Sequence, residues 1–108
     1  MLAGGLRMEF RDSVGIEPFS SQDSYGEPHF GASVTYPARV EVKSRRIAGS
    51  GGVEIAARGR VLLASIATVT TKDRMTLPNW AAPTQPPILD VQVHRGDGMD
   101  HTTVYFGA

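Results

Sequence analysis

Three observations predict an all-β fold, a small antiparallel β-barrel or sandwich. Apolar and polar residues alternate in several short runs, 7 prolines and 12 glycines separate those runs, and strongly helical periodicity is confined to the N-terminus. At 108 residues the chain is long enough for one hydrophobic core and not for two, so residues 1–108 are expected to form a single domain.

Taken in order, Leu2, Leu6 and Phe10 have i, i+4 spacing and predict a short N-terminal helical segment. Gly4 and Gly5 interrupt it, each at a cost of up to about 1 kcal/mol, so it would need tertiary packing to persist. Val14, Ile16 and Pro18 alternate with Gly15 and Glu17 in a short strand, and the polar residues 20–31 then read as an extended loop. The clearest strand is residues 32–43, where Ala32, Val34, Tyr36, Ala38, Val40 and Val42 alternate with polar positions. Pro37 falls inside it and donates no ladder hydrogen bond, which predicts an edge position, a bulge or a bend.

Residues 44–60 form a glycine-rich excursion, expected to be a long hairpin loop with Gly49, Gly51 and Gly52 at a flexible tip. Val61 to Val69 is apolar on both faces and rich in β-branched residues, the pattern of a central strand in preference to a short helix. Met75 and Leu77 form a short alternating unit ended by Pro78, and residues 79–87 are a proline-rich connection carrying Trp80. Ile88, Leu89, Val91 and Val93 precede the turn Arg95-Gly96-Asp97-Gly98, after which Thr102, Val104 and Phe106 alternate with Thr103 and Tyr105. These two runs predict a terminal hairpin.

Composition removes several function classes. With no cysteine there is no disulfide, thiolate metal site or cysteine nucleophile, and a reducing compartment is permitted. Residues 1–8 lack the pattern of a signal peptide, and no segment approaches the roughly 20 apolar residues of a membrane span, so the protein is expected in the cytosol when made, away from membranes. The 11 Lys and Arg balance the 11 Asp and Glu, which removes the global attraction used by free-standing nucleic-acid binders.

No catalytic constellation emerges. His94, Asp97, Asp100 and His101 fall across one turn and offer mixed ligands without a spacing that fixes a geometry, and His29 is isolated, so a solvated polar turn is favoured over a metal site. Ser50 in Gly49-Ser50-Gly51-Gly52 lacks the flanking pattern of a nucleophile elbow, and Glu54 occupies the third glycine position of a phosphate-binding loop. Asp90 is the one acid within an apolar run, and alternation turns it toward solvent rather than into a general-base site. The expectation is a protein that is not an enzyme, with no catalytic, cofactor-binding or metal-binding residue.

Charge is unevenly distributed. Residues 9–30 carry five carboxylates, among them Glu17, Asp23 and Glu27, against Arg11 alone. Residues 39–60 carry six cations, Arg39, Lys43, Arg45, Arg46, Arg58 and Arg60, against Glu41 and Glu54. Complementary patches on one subunit suit heterologous contacts that close into a ring.

Six segments, in order, carry a family resemblance. They are Val14-Gly15-Ile16-Glu17-Pro18-Phe19, Asp23-Ser24-Tyr25-Gly26-Glu27-Pro28, Val34-Thr35-Tyr36-Pro37-Ala38-Arg39-Val40, Asp73-Arg74-Met75-Thr76-Leu77-Pro78, Pro86-Pro87-Ile88-Leu89 and His101-Thr102-Thr103-Val104-Tyr105-Phe106-Gly107. Together they resemble the small head-closure, or head-tail connector, proteins of long-tailed bacteriophages, often called stoppers. The resemblance implies a small β-barrel forming a homo-oligomeric ring, a hexamer or dodecamer, in the virion neck, made in the host cytoplasm. It places an adaptor ring on the portal side, a tail terminator or other tail protein on the other, and packaged DNA within, and implies no cofactor. By position, residues 44–60 match the family's variable loop, so Arg45, Arg46, Arg58 and Arg60, with Gly49, Gly51 and Gly52, would face DNA phosphates or meet the acidic patch of a neighbour. The runner-up is a stand-alone β-barrel binding module with a small ligand or peptide near Trp80, Tyr36 and Tyr105.

Overall fold

The computed structural model describes residues 10–48, 52, 54–96 and 100–107. The described residues form ten strands, β1 (Asp12–Glu17), β2 (Phe19–Gln22), β3 (Pro28–Phe30), β4 (Val34–Glu41), β5 (Arg45–Ala48), β6 (Glu54–Ala57), β7 (Gly59–Leu63), β8 (Arg74–Thr76), β9 (Ile88–His94) and β10 (His101–Phe106). Six of them form one antiparallel sheet in the order β8-β1-β4-β7-β10-β9, curled into half a barrel, while β2-β3 and β5-β6 are separate two-stranded ribbons. The all-β antiparallel expectation therefore holds. Of the helical segment expected at the N-terminus, all but Phe10 lies outside the described residues.

Alternation sets the concave face. Val14 and Ile16 of β1, Ala38 and Val40 of β4, Val61 and Leu63 of β7, and Val104 and Phe106 of β10 are buried together with Met75, Leu77 and Ile88. Cross-strand neighbours continue the layer, with Val40 opposite Val61 and Val61 opposite Val104. Thr102 is fully buried on this face, and its hydroxyl is satisfied twice, donating to the Ser65 carbonyl and accepting from the Ala67 amide, each at 2.9 Å. These bonds pin residues 65–67 over the end of the core.

Two expectations need correction. The apolar run after Arg60 is in a central strand only as far as Leu63; its later members Ala67 and Val69 leave the sheet and are buried in the core cluster. Residues 20–31 are not simply a loop but the β2-β3 ribbon, turning at Asp23, whose Phe19 and Phe30 rings meet edge to face at 6.2 Å. Pro37 lies in the interior strand β4, not at an edge. Its carbonyl accepts from the Ala64 amide at 3.0 Å, but Pro37 has no N–H to return that bond, and the β4-β7 pairing ends beside it at Ala38-Leu63.

Gly59 is fixed by close approach. A Cβ there would meet the Glu41 carbonyl oxygen and lie 2.6 Å from Phe106 Cζ, because the Phe106 ring packs directly over this position. Both groups belong to the ladder that joins β4, β7 and β10.

Candidate functional site

The two ribbons leave the half-barrel from opposite ends of β4. β2 and β3 connect β1 to the start of β4 at Val34, and β5 and β6 connect the end of β4 at Glu41 to Gly59. At about 3.3 Å per residue these exits stand roughly 23 Å apart. The folded chain thus carries Glu17, Asp23 and Glu27 toward one end of β4 and the arginine-bearing β5-β6 ribbon at the other, while Asp12 pairs opposite Ala38 and accepts from the Val40 amide near the basic end.

At the basic pole, the excursion read as a hairpin loop has arms paired as strands, with Arg45 opposite Ala57, Ile47 opposite Ile55 and Ala48 opposite Glu54. Gly52 is exposed between the arms, whereas Gly49 and Gly51 lie outside the described residues. The four arginines take different roles. Arg46 stands on the ribbon with 77% of its side chain exposed, 3.8 Å from Glu54 across the arms. Arg45, at the ribbon's base, is half-buried, with an Nε that has no hydrogen-bond partner. Arg58 is exposed and donates from Nε to the Ala82 carbonyl at 2.8 Å, tying the base of the ribbon to the proline-rich connection. Arg60 belongs to the sheet, donating from Nε to Glu41 at 2.6 Å. Burial alone would raise the Glu41 pKa, but the Arg60 hydrogen bond and the charges of Arg60, Arg39 and Arg45 outweigh it and hold the carboxyl below the usual carboxylate range.

The acidic pole is likewise divided. Glu17 takes a two-point contact from Arg74, Nε and Nη2 each at 2.8 Å, and this hydrogen bonding lowers its pKa against the opposing effect of burial. Arg74 also covers the Phe30 ring at 4.4 Å, so one guanidinium joins β8, β1 and the ribbon. Asp23 caps the turn of its own ribbon, accepting from the Glu27 amide at 3.0 Å and the Tyr25 amide at 2.8 Å, with His29 at 3.4 Å. The Glu27 and Tyr25 amide bonds hold its carboxyl below its usual range. Glu27 itself is exposed.

Asp73 was not marked by sequence reasoning as a site residue, yet it organises this pole. One oxygen accepts from the Phe19 amide at 2.8 Å and the other from the Thr70 amide at 2.9 Å, so Asp73 staples the 70–73 turn to the start of β2. Between that turn and the ribbon lies an open cleft of about 460 Å³ lined by Phe19, Gln22, Pro28, Phe30 and Lys72. The Asp73-Arg74 dipeptide was legible as a motif, but its partners Phe19 and Glu17 are more than fifty positions away.

The three aromatics assigned to a ligand site are not brought together. Tyr36 packs against the core on the concave face, Tyr105 pairs with Arg60 and Asp90 on the opposite face, and Trp80 is 59% exposed with its indole nitrogen donating to Asp12. Asp90 is half-buried on that outer face. Among the described residues no three His, Asp or Glu side chains cluster as metal ligands, and no helix is long and apolar enough to cross a membrane. Comparison with protein-family models, curated proteins and solved structures finds no match to this chain.

Proposed function

We propose that this chain is a structural subunit of the neck of a long-tailed bacteriophage, a head-tail connector that forms a ring, closes the DNA-filled head and offers the tail a docking surface. The observation that carries the reading is the bipolar arrangement, an acidic ribbon and an arginine-bearing ribbon standing off opposite ends of one rigid sheet. Subunits joined side by side by unlike surfaces need two different faces on each copy, and this separation supplies them. The open half-barrel adds a second reason, because among the described residues the outer edges of β8 and β9 have no strand partner within the chain. The six strand and turn segments that resemble stopper proteins supply the identity of the ring.

On this reading the protein has no catalytic step and no cofactor. Its partners are further copies of itself, an adaptor ring and a tail protein. Of the predicted channel residues, Arg46 is the one whose position on the ribbon leaves it available to DNA phosphates or an adjacent subunit, since Arg58 and Arg60 are engaged at the ribbon's base and in the sheet.

The test is to locate the chain in purified virions by mass spectrometry and by cryo-electron microscopy focused on the portal vertex. A closed ring containing this chain at the neck is the expected result. Its absence from the particle, together with a monomeric mass for the purified protein at all concentrations, would overturn the proposal.

A further inference from the structure

Of the four residues that sequence spacing left without a geometry, His94 and His101 are brought together by the strand register, whereas Asp97 lies outside the described residues. His94, near the end of β9, lies directly opposite His101, the first residue of β10. Their imidazole rings stack with centroids 4.5 Å apart and planes 17° from parallel. The backbone around them is anchored from both sides. Below the pair, Val93 and Thr102, Gln92 and Thr103, and Val91 and Val104 continue the ladder without a break. Above it, Asp100 Oδ1 accepts from the Gly96 amide at 2.9 Å, holding the two ends of the turn together.

We infer that His94 and His101 form a two-point chelate for a divalent transition-metal ion of the zinc, nickel or copper class. Metal-nitrogen bonds of about 2.0–2.1 Å require the two ligating nitrogens to stand about 3–4 Å apart, a separation that paired cross-strand rings reach. Drawing one nitrogen of each ring onto a common ion requires the stacked side chains to turn, while the paired backbone stays in place. Imidazole nitrogen suits these metals and not magnesium or calcium, which prefer a shell of oxygens. His94 is exposed and His101 half-buried, so an ion reaches the pair from solvent and water completes its coordination. The chelate is independent of the neck assignment, since it needs one chain alone.

The test is a titration of the full-length protein with zinc chloride, followed by NMR of the three histidine side chains, with magnesium chloride in parallel. Zinc is expected to shift or broaden the His94 and His101 signals together at one ion per chain, with magnesium producing no change. Because the second ring binds at the high effective concentration set by the first, H94A and H101A should each weaken zinc binding at least about tenfold. H29A, beside Asp23 on the β2-β3 ribbon, should leave it unaltered. An unchanged thermal melt of H94A would show that the loss is of ligand and not of fold. Absence of any response at millimolar zinc, or undiminished binding by a folded H94A protein, would overturn the inference.

Discussion

Substituting Gly59 by alanine adds one methyl group where the structure has no room for it. The new carbon would collide with the Glu41 carbonyl and stand 2.6 Å from Phe106 Cζ, against the 3.0 Å below which Cβ atoms are essentially never found. The ring can tilt only into the packed core, because Phe106 is itself fully buried, and the carbonyl can move only by distorting the β4-β7 ladder at the Glu41-Arg60 pair. Overpacking of this kind costs about 1–3 kcal/mol, and a backbone obstruction places Gly59→Ala near the upper end. For a domain of this size each kcal/mol lowers the Tm by about 4–8 °C, so a fall of roughly 12–24 °C is expected. Thermal melts by circular dichroism measure it, and Gly26→Ala is the comparison. Gly26 has φ +83° and nothing within 4 Å of its would-be Cβ, so it bears only the conformational penalty of about 1 kcal/mol. A Gly59→Ala protein that melts within about 2 °C of the parent, or no lower than Gly26→Ala, would refute the close-approach argument.

Asp73→Ala leaves the Phe19 and Thr70 amides without their carboxylate, and should destabilise by about 1.5–3 kcal/mol in urea titration. Acid should act through Glu41, Glu17 and Asp23, whose pKa values are all depressed on folding. The stability they contribute is present above the ordinary values of 4.5 for Glu and 3.8 for Asp, and is lost as pH falls through the lower folded-state values. Urea midpoints should therefore decline from about pH 4.5 downward, and a midpoint that does not change between about pH 5 and 3 would contradict the assignment. Arg46→Glu should leave the unfolding free energy nearly unchanged, within about 0.5 kcal/mol, while reducing ring assembly measured by native mass spectrometry.

Local pattern was enough to locate β1, β4, β8 and the terminal hairpin, because each alternates against a core whose apolar faces are written into consecutive residues. The β2-β3 ribbon was missed because its strands are short and mostly polar; the available signals were Phe19 and Phe30 bracketing an Asp-x-x-Gly turn. The arms of the β5-β6 ribbon carried a fainter cue, Ile47 and Ile55 placed symmetrically about the glycines. The end of β7 at Leu63 had no local signal at all, since Ala67 and Val69 keep the same alternation after the chain has left the sheet.

The sequence by itself determined that this is a one-core, antiparallel β protein without cysteine chemistry, and that its charge is segregated along the chain. Only the tertiary structure decided that the sheet stops at half a barrel, that the ribbons bearing Asp23 and Arg46 leave from opposite ends of β4, and which charges are spent inside the subunit. Glu17 meets Arg74, Glu41 meets Arg60, and His94 stacks on His101 through strand register. A side chain's alternation depends on its immediate neighbours, whereas its partner depends on which strands pair and in what register, and in a sheet those pairings join residues far apart in the chain.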